Sequence, residues 1–255
     1  MQQTSVSIQP CCPYWATSNL NESPWPRLLM ATWVITGANR GLGLEFAKQL
    51  LATGHTVLAG VRHPDSMEFE HAKMTVFQLD VASTTSVKEF AERIQSVADS
   101  IDVLVNNAGR MDGRWQSIEE VDPDRSLDVL NVNTIGPLRV SQALWPLLQG
   151  SSPTKIANIS SLMGSIDDCM SGRSYAYRTS KTGLNMITKI LAVEGQHDNI
   201  TVTSYHPGWA KTDMGGERAP VPASVSVVGL IDLINQQTEG QSGRFFEYTG
   251  DELPW

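Results

Sequence analysis

Tyr177 and Lys181 stand four residues apart, a spacing that on a helix places a phenol and an ammonium on one face. A phenol with a reference pKa of about 10 is a poor proton carrier at neutral pH. A neighbouring ammonium, joined by the cationic ring of an oxidised nicotinamide, would favour the phenolate and bring that value down. Tyr175 competes for the role, but the residue four beyond it is Thr179, which carries no charge. Upstream, Asn158-Ile159-Ser160-Ser161 reads as a strand end opening into a loop. A serine hydroxyl there can hydrogen-bond a substrate oxygen as charge develops on it. Ser160 and Ser161 both qualify, and alternation along the strand turns one of them into the sheet. Together these groups suit hydride transfer to a carbonyl with a proton delivered to its oxygen.

A second chemical signature lies near the start. Thr36-Gly37-Ala38-Asn39-Arg40-Gly41-Leu42-Gly43 falls between an apolar strand and a helix. Glycines there let main-chain N–H groups approach a pyrophosphate, which the positive end of the helix also favours. The spacing G-x-x-x-G-x-G departs from the G-x-G-x-x-G of the dinucleotide fingerprint. Its position after the first strand of an alternating chain therefore carries much of the weight. About 20 residues on, a carboxylate would hold the ribose 2′-hydroxyl of NAD, whereas an arginine suits a 2′-phosphate. The second strand ends Ala59-Gly60-Val61-Arg62, and Arg40 adds a guanidinium within the turn. Asp65 is the nearby acid that would suit NAD instead. The two arginines favour NADP(H), since hydrogen bonds to charged groups contribute about 1.5–3 kcal/mol each.

Holding these groups together requires an alternation of strands and helices, and the chain has one. Apolar runs occur at Thr32–Thr36, Thr56–Val61, Met74–Leu79, Val103–Val105, Lys155–Ser160, Ile200–His206 and Phe245–Tyr248. Between them, helical spacing covers Leu42–Thr53, Ser86–Ala98, Pro123–Leu148, Tyr177–Glu194 and Ala223–Gln237. Short runs that are apolar on both sides are parallel strands covered on two faces. The pattern predicts an α/β fold, a single Rossmann-type doubly wound parallel sheet flanked by helices. Ligands then gather beyond the carboxyl ends of the strands, near the switch point. No linker or internal repeat divides residues 31–255, which read as one domain.

Composition narrows the function classes. The 255 residues are 41% hydrophobic and 18% charged, enough for one large domain with a sizeable core. Lys and Arg number 19 against 27 Asp and Glu, for a net charge of −8, which argues against nucleic acid or an anionic membrane as partner. No apolar run approaches the roughly 18 residues of a spanning helix. Cys11, Cys12 and Cys169 are too few for a disulfide framework, and no Cys/His cluster has metal-ligand spacing. A reducing compartment, hence the cytoplasm, is the expectation. Residues 1–30 hold four prolines, two charges and little periodicity, which reads as a poorly ordered extension rather than a targeting segment. Met30, directly before the first strand, reads as an alternative start.

These motifs, in this order, resemble the short-chain dehydrogenase/reductase family over essentially all of residues 31–255. Thr36–Gly43 looks like the family's T-G-x-x-x-G-x-G turn. The resemblance implies that Asp80 meets the adenine amino group and Val81 its ring. It implies that Asn106-Asn107-Ala108-Gly109 stabilises the sheet and borders the cofactor. Asn133, in Asn133-Thr134-Ile135-Gly136, is implied to hold a water joined to the lysine, completing a tetrad with Ser161, Tyr177 and Lys181. His206-Pro207-Gly208-Trp209-Ala210-Lys211-Thr212 resembles the turn after the sixth strand, whose threonine binds the nicotinamide carboxamide. Basic residues at positions like Arg40 and Arg62 mark members that prefer NADP.

One departure concerns Leu162 to Arg173, a longer interval than is usual in the family. With Tyr-Arg-Thr-Ser-Lys and the ending Leu253-Pro254-Trp255, it is similar to the C-factor and sniffer-like carbonyl reductase branch. Asp167 and Asp168 could meet a basic substrate, though a solvated acidic loop is the simpler reading, and Cys169 reads as a plain loop thiol. Residues 209–224 read as a mobile connection over the cleft. Apolar residues on more than one face of the helices, and the resemblance, imply a homodimer or homotetramer. The expectation is an NADPH-dependent reductase of an aldehyde or ketone, the alternative a non-catalytic NADP-binding regulatory protein of the same fold.

Overall fold

The computed structural model describes residues 30–149 and 153–255. The expectations for the N-terminal extension, Cys11 and Cys12 included, lie outside the described residues. The strands are β1 (Thr32–Thr36), β2 (Thr56–Val61), β3 (Met74–Gln78), β4 (Val103–Asn106), β5 (Thr154–Ile159), β6 (Ile200–His206), β7 (Ala210–Lys211), β8 (Val221–Pro222) and β9 (Phe245–Glu247). Seven of them form one parallel sheet in the order β3-β2-β1-β4-β5-β6-β9, and β7 pairs with β8 in a small ribbon. The chain steps outward from β1 to β3, returns past β1 to β4, and then steps the other way. The switch point lies between β1 and β4, where Trp33 pairs with Val103 and Ile35 with Val105.

The helices are α1 (Gly41–Ala52), α2 (Thr84–Gln95), α3 (Pro123–Leu130), α4 (Gly136–Leu148), α5 (Tyr175–Glu194) and α6 (Ala223–Gln236). Alternation within the strands divides them between two faces. Trp33 and Ile35 pack with Phe46 and Leu50 of α1 and Leu230 and Ile234 of α6. Val34, pointing the other way, packs with Phe90 of α2, Leu144 of α4 and Leu191 of α5. β4 repeats the split, with Val103 and Val105 on the first face and Leu104 on the second. Each such large side chain contributes about 1.5–3 kcal/mol on burial, which is why the strands are apolar on both sides.

Two stretches differ from expectation. The helix expected over Pro123–Leu148 is broken by a π turn at Asn131–Ile135, where the Gly136 amide bonds the carbonyl of Asn131, five residues back. Pro137 has no N–H to offer the carbonyl of Asn133, so an uninterrupted α-helical ladder cannot run through. The connection over 209–224 contains the β7–β8 ribbon, closed also by the Val221 amide on the carbonyl of Trp209 at 3.2 Å. Among the described residues no helix is long and apolar enough to cross a membrane. Nor, among them, does any group of three or more His, Cys, Asp or Glu side chains stand where it could hold a metal ion.

Candidate active site

The first half of the site is a main-chain cradle at the carboxyl ends of β1 and β4. Gly37 and Gly41 have φ of 70° and 55°, in the left-handed region that favours glycine. A Cβ on Gly43 would collide with the Gly37 carbonyl oxygen and the Asn107 side chain, so the start of α1 is free to lie close against the turn. α1 has no side-chain cap and no acid in its first turn. Its leading amides and positive end therefore fit an anionic group such as a pyrophosphate. Thr36 and Asn107 lock this turn across the switch point. The Thr36 hydroxyl accepts from the amides of Asn107 and Ala108 at 3.0 and 2.9 Å, and Asn107 Nδ2 donates to the carbonyls of Thr36 and Gly37 at 2.9 and 3.2 Å.

The second half is built by the end of β5, the π turn and the start of α5. Ser160 and Ser161 separate as alternation requires. Ser160 is buried and donates to Asn185 Oδ1 at 2.6 Å, whereas the Ser161 hydroxyl lies on the Tyr177 side, where it favours the phenolate. Tyr177 is buried and Tyr175 is exposed. Lys181 Nζ lies 5.8 Å from the Tyr177 ring centroid and donates to the carbonyl of Ile159 at 2.8 Å. Asn133 is wholly buried, accepting from the Arg110 amide at 2.8 Å and donating to the Arg110 carbonyl at 2.8 Å and to Ser180 Oγ at 3.0 Å. Ser180 in turn donates to the carbonyl of Tyr177 at 2.8 Å. A Cβ on Gly109 would stand 3.4 Å from Asn133 Oδ1 and 3.7 Å from Lys181 Nζ. The chain thus gathers Ser161, Tyr177, Lys181 and Asn133 beside the end of β4.

Electrostatically the site departs from expectation. Burial pushes the Tyr177 phenol up to about 12, against the pull of the Ser161 hydroxyl and the Arg114 guanidinium. Burial likewise pushes the Lys181 ammonium down to about 8. Arg114 adds a positive field on the phenol that the sequence motifs do not mark. Desolvation dominates at both groups, since each charged form must give up water on burial.

The remaining residues fall around these two halves. Asn39 donates to Ser66 Oγ at 3.1 Å, and Leu42 packs on the α1 face of the core. Arg62 is exposed directly after β2. Arg40 is exposed and pairs with Asp213 at 3.3 Å. Asp80 Oδ1 accepts from the Ala82 amide at 3.0 Å, and Val81 packs under Gly136. Asn106 turns inward, donating to Asn158 Oδ1 of β5 at 2.9 Å and Ser141 Oγ of α4 at 3.2 Å. Thr212 lies against Gly41, and its hydroxyl accepts from the Gly215 amide at 3.1 Å. The Pro207 carbonyl accepts from Ser226 at 2.6 Å, and Gly208 leads into β7 at Ala210. Asp167, Asp168 and Cys169 are exposed.

Two contributors escaped sequence reasoning, and a third has a more specific role than its motif implied. Ser180 couples Asn133 to Tyr177, and its place three residues after the tyrosine, on the buried face of α5, was the available signal. Asn107, read from its motif as stabilising the sheet beside the cofactor, locks the glycine turn itself. Arg114 reaches the Tyr177 field and donates to the carbonyl of Met214; no motif marks it. With Arg40 on Asp213, it holds the 212–216 segment from two sides.

Comparison with known proteins agrees with this geometry. The family model for short chain dehydrogenases matches residues 31–221. C-signal of Myxococcus xanthus is 39% identical over 155 residues, which is 61% of this chain and 93% of that protein. The 1-hydroxy-2-glutathionyl-2-methyl-3-butene dehydrogenase of Rhodococcus sp. (strain AD45) is 32% identical over 232 residues, 89% of this chain and all of that one. Among solved structures, carbonyl reductase Sniffer of D. melanogaster superposes with a TM-score of 0.84 at 34% identity, over 89% of this chain and 100% of its own. An NADPH-bound carbonyl reductase from chicken fatty liver gives 0.81 at 32% identity with the same coverage. Fold, site and relatives agree: this chain belongs to the short-chain dehydrogenase family of oxidoreductases, in its C-signal and Sniffer-like branch.

Proposed function

We propose that this protein is an NADPH-dependent reductase of aldehydes or ketones, running reversibly as an alcohol dehydrogenase. The observation that carries the reading is the buried Tyr177 phenol within the pull of the Ser161 hydroxyl, with Lys181 Nζ 5.8 Å from its ring and a phosphate-fitting cradle alongside. The cofactor, when bound, supplies the hydride and, once oxidised, a positive ring. Gly37, Asn39, Gly41, Leu42 and Gly43 hold its diphosphate, and Arg40 and Arg62 its 2′-phosphate. Asp80 and Val81 receive the adenine, with Asn106, Ala108 and Gly109 along the cleft floor. Pro207, Gly208, Ala210 and Thr212 line the nicotinamide end. The Ser161 hydroxyl donates to the substrate carbonyl oxygen as charge develops there. The Tyr177 Oη proton passes to that oxygen. Lys181 holds the ribose and favours loss of that proton, and Asn133 braces the relay through Arg110 and Ser180.

The relatives support this chemistry, since the NADPH-bound chicken protein and Sniffer are both named carbonyl reductases. A non-catalytic NADP-binding regulator is the weaker reading, because a sensor has no need of Ser161, Tyr177 and Lys181 together. Sustained NADPH consumption with a panel of aldehydes and ketones is the expected result; binding without turnover across the panel would favour the sensor. The reading extends to the cytoplasm as location and to a homodimer or homotetramer. For the latter, Leu127 of α3, Leu138 of α4 and Met186, Ile190 and Val193 of α5 leave apolar surface exposed. Light scattering on the eluted protein should give a multiple of 27.9 kDa, and a monomer mass would remove that part of the reading.

A further inference from the structure

The segment after Ser161 is fastened at its far end to the last residue of the sequence. The main-chain oxygen of Trp255 accepts from Ser165 Oγ at 3.2 Å, from the Ile166 amide at 2.9 Å and from the Asp167 amide at 3.0 Å. Trp255 is itself anchored, its ring stacked on Phe245 of β9 with centroids 5.7 Å apart and planes 16° off parallel. The residues before it run back along β9, with the Leu253 amide on the Phe245 carbonyl at 2.8 Å and Glu252 bridged to Phe246. A rigid sheet edge thus holds the acceptor in place.

The other end of the same segment is tied to α5. Ser161 starts a single 3₁₀ turn, Leu162–Gly164, its hydroxyl accepting from the Met163 amide at 3.2 Å and its carbonyl from the Gly164 amide at 2.8 Å. The Gly164 carbonyl accepts from Thr182 Oγ1 at 3.0 Å and Asn185 Nδ2 at 3.3 Å. Gly164 sits so close to Lys181 that a Cβ there would come within 2.8 Å of the lysine main chain. Ser165 closes the turn onto the Leu162 carbonyl at 2.9 Å and then meets Trp255. From the Ser161 hydroxyl to the Trp255 oxygen there is one short turn, held by α5 on one side and by the tail on the other.

We propose that Trp255 is a positioning residue for carbonyl reduction, setting the Ser161 loop through its main-chain oxygen and its stack on Phe245. The inference rests on the reductase reading through the role of Ser161. It separates the two halves of the site, because the tail touches the serine loop and not the glycine cradle. Loss of the clamp therefore acts on the carbonyl and spares the cofactor.

The test uses the full chain, a deletion of Trp255, and Trp255→Phe, which keeps both a stacking ring and the main-chain oxygen. Amide exchange, NADPH binding and carbonyl kinetics are measured on all three. In the deletion, the Ile166 and Asp167 amides should exchange roughly tenfold faster. Its kcat/KM for carbonyls should fall roughly tenfold, since small misplacements of a catalytic group are costly, with the NADPH Kd unchanged. Trp255→Phe should restore both. Faster exchange with unchanged carbonyl kinetics would overturn the proposal, as would a loss of NADPH affinity in step with the loss of turnover. Should the unaltered protein reduce no carbonyl, the reductase reading fails instead. Exchange then decides the clamp by itself: acceleration retains it and unchanged rates overturn it.

Discussion

Ser160 and Ser161 are neighbours in the chain with opposite surroundings, and the pair separates structure from chemistry at single-residue resolution. Ser161→Ala removes the hydroxyl beside the phenol and should lower kcat by roughly 100- to 1000-fold, with a loss of stability no larger than the about 0.5–2 kcal/mol of its cap on the Met163 amide. Ser160→Ala instead leaves Asn185 Oδ1 without its donor and should lower stability by about 1–3 kcal/mol. Equal effects of the two on turnover and on thermal unfolding would contradict this division. The arginines test cofactor choice in the same way. Arg40→Ala combined with Arg62→Ala should reduce the preference for NADPH over NADH by a hundredfold or more, if each contributes about 1.5–3 kcal/mol toward a 2′-phosphate. Steady-state kinetics with both cofactors read this directly. Such residues were legible because a phenol and an ammonium four apart, or glycines after a strand, have few other uses in combination. Arg114 was not, since an arginine in a loop carries no signature until the fold brings it within the field of Tyr177.

At the scale of elements, the strands were easy to read and the break in one helix was not. Runs such as Val57–Val61 are buried on both sides, so their composition is dictated by two helical layers at once. The region Pro123–Leu148 keeps its apolar spacing on both sides of the interruption, and spacing alone therefore predicts a single helix. Gly136-Pro137 was the local signal, because the proline denies Asn133 its α-helical partner. The π turn directs Asn133 at Arg110 and Ser180 and puts Thr134 Oγ1 on the Ser180 carbonyl at 2.8 Å. Asn133→Ala should cost about 1–3 kcal/mol, because the Arg110 amide and carbonyl and the buried Ser180 hydroxyl lose their partner. Turnover should fall as well, through the loosened Ser180–Tyr177 link. Urea unfolding alongside kinetics checks both, and a variant unaltered in stability would refute the bracing role.

Across the whole molecule, the carboxyl edge of the sheet concentrates groups whose burial makes stability depend on pH. Burial holds the His206 imidazole at about 4, against the pull of Asp168. In the unfolded chain it titrates near its ordinary value of about 6.5. Between those two values the unfolded state binds more protons, so stability present above pH 6.5 is lost as pH falls toward 4, by up to roughly 3 kcal/mol. Denaturant unfolding across this window should show that loss, and His206→Asn should flatten it; an unflattened profile would assign it elsewhere. The doubly wound topology was legible from the alternation of elements, and with it the edge where ligands gather. The long-range ties, such as Arg40 with Asp213 or Trp255 with the serine loop, were not, because nothing local in sequence records a contact made across the sheet. Convergence of Ser161, Tyr177 and Lys181 on one carbonyl is tested most directly by Tyr177→Phe, assayed for NADPH oxidation with an active carbonyl substrate and for NADPH binding by fluorescence. Turnover should nearly vanish while the Kd for NADPH stays close to that of the unaltered protein; turnover that persists undiminished would contradict the mechanism.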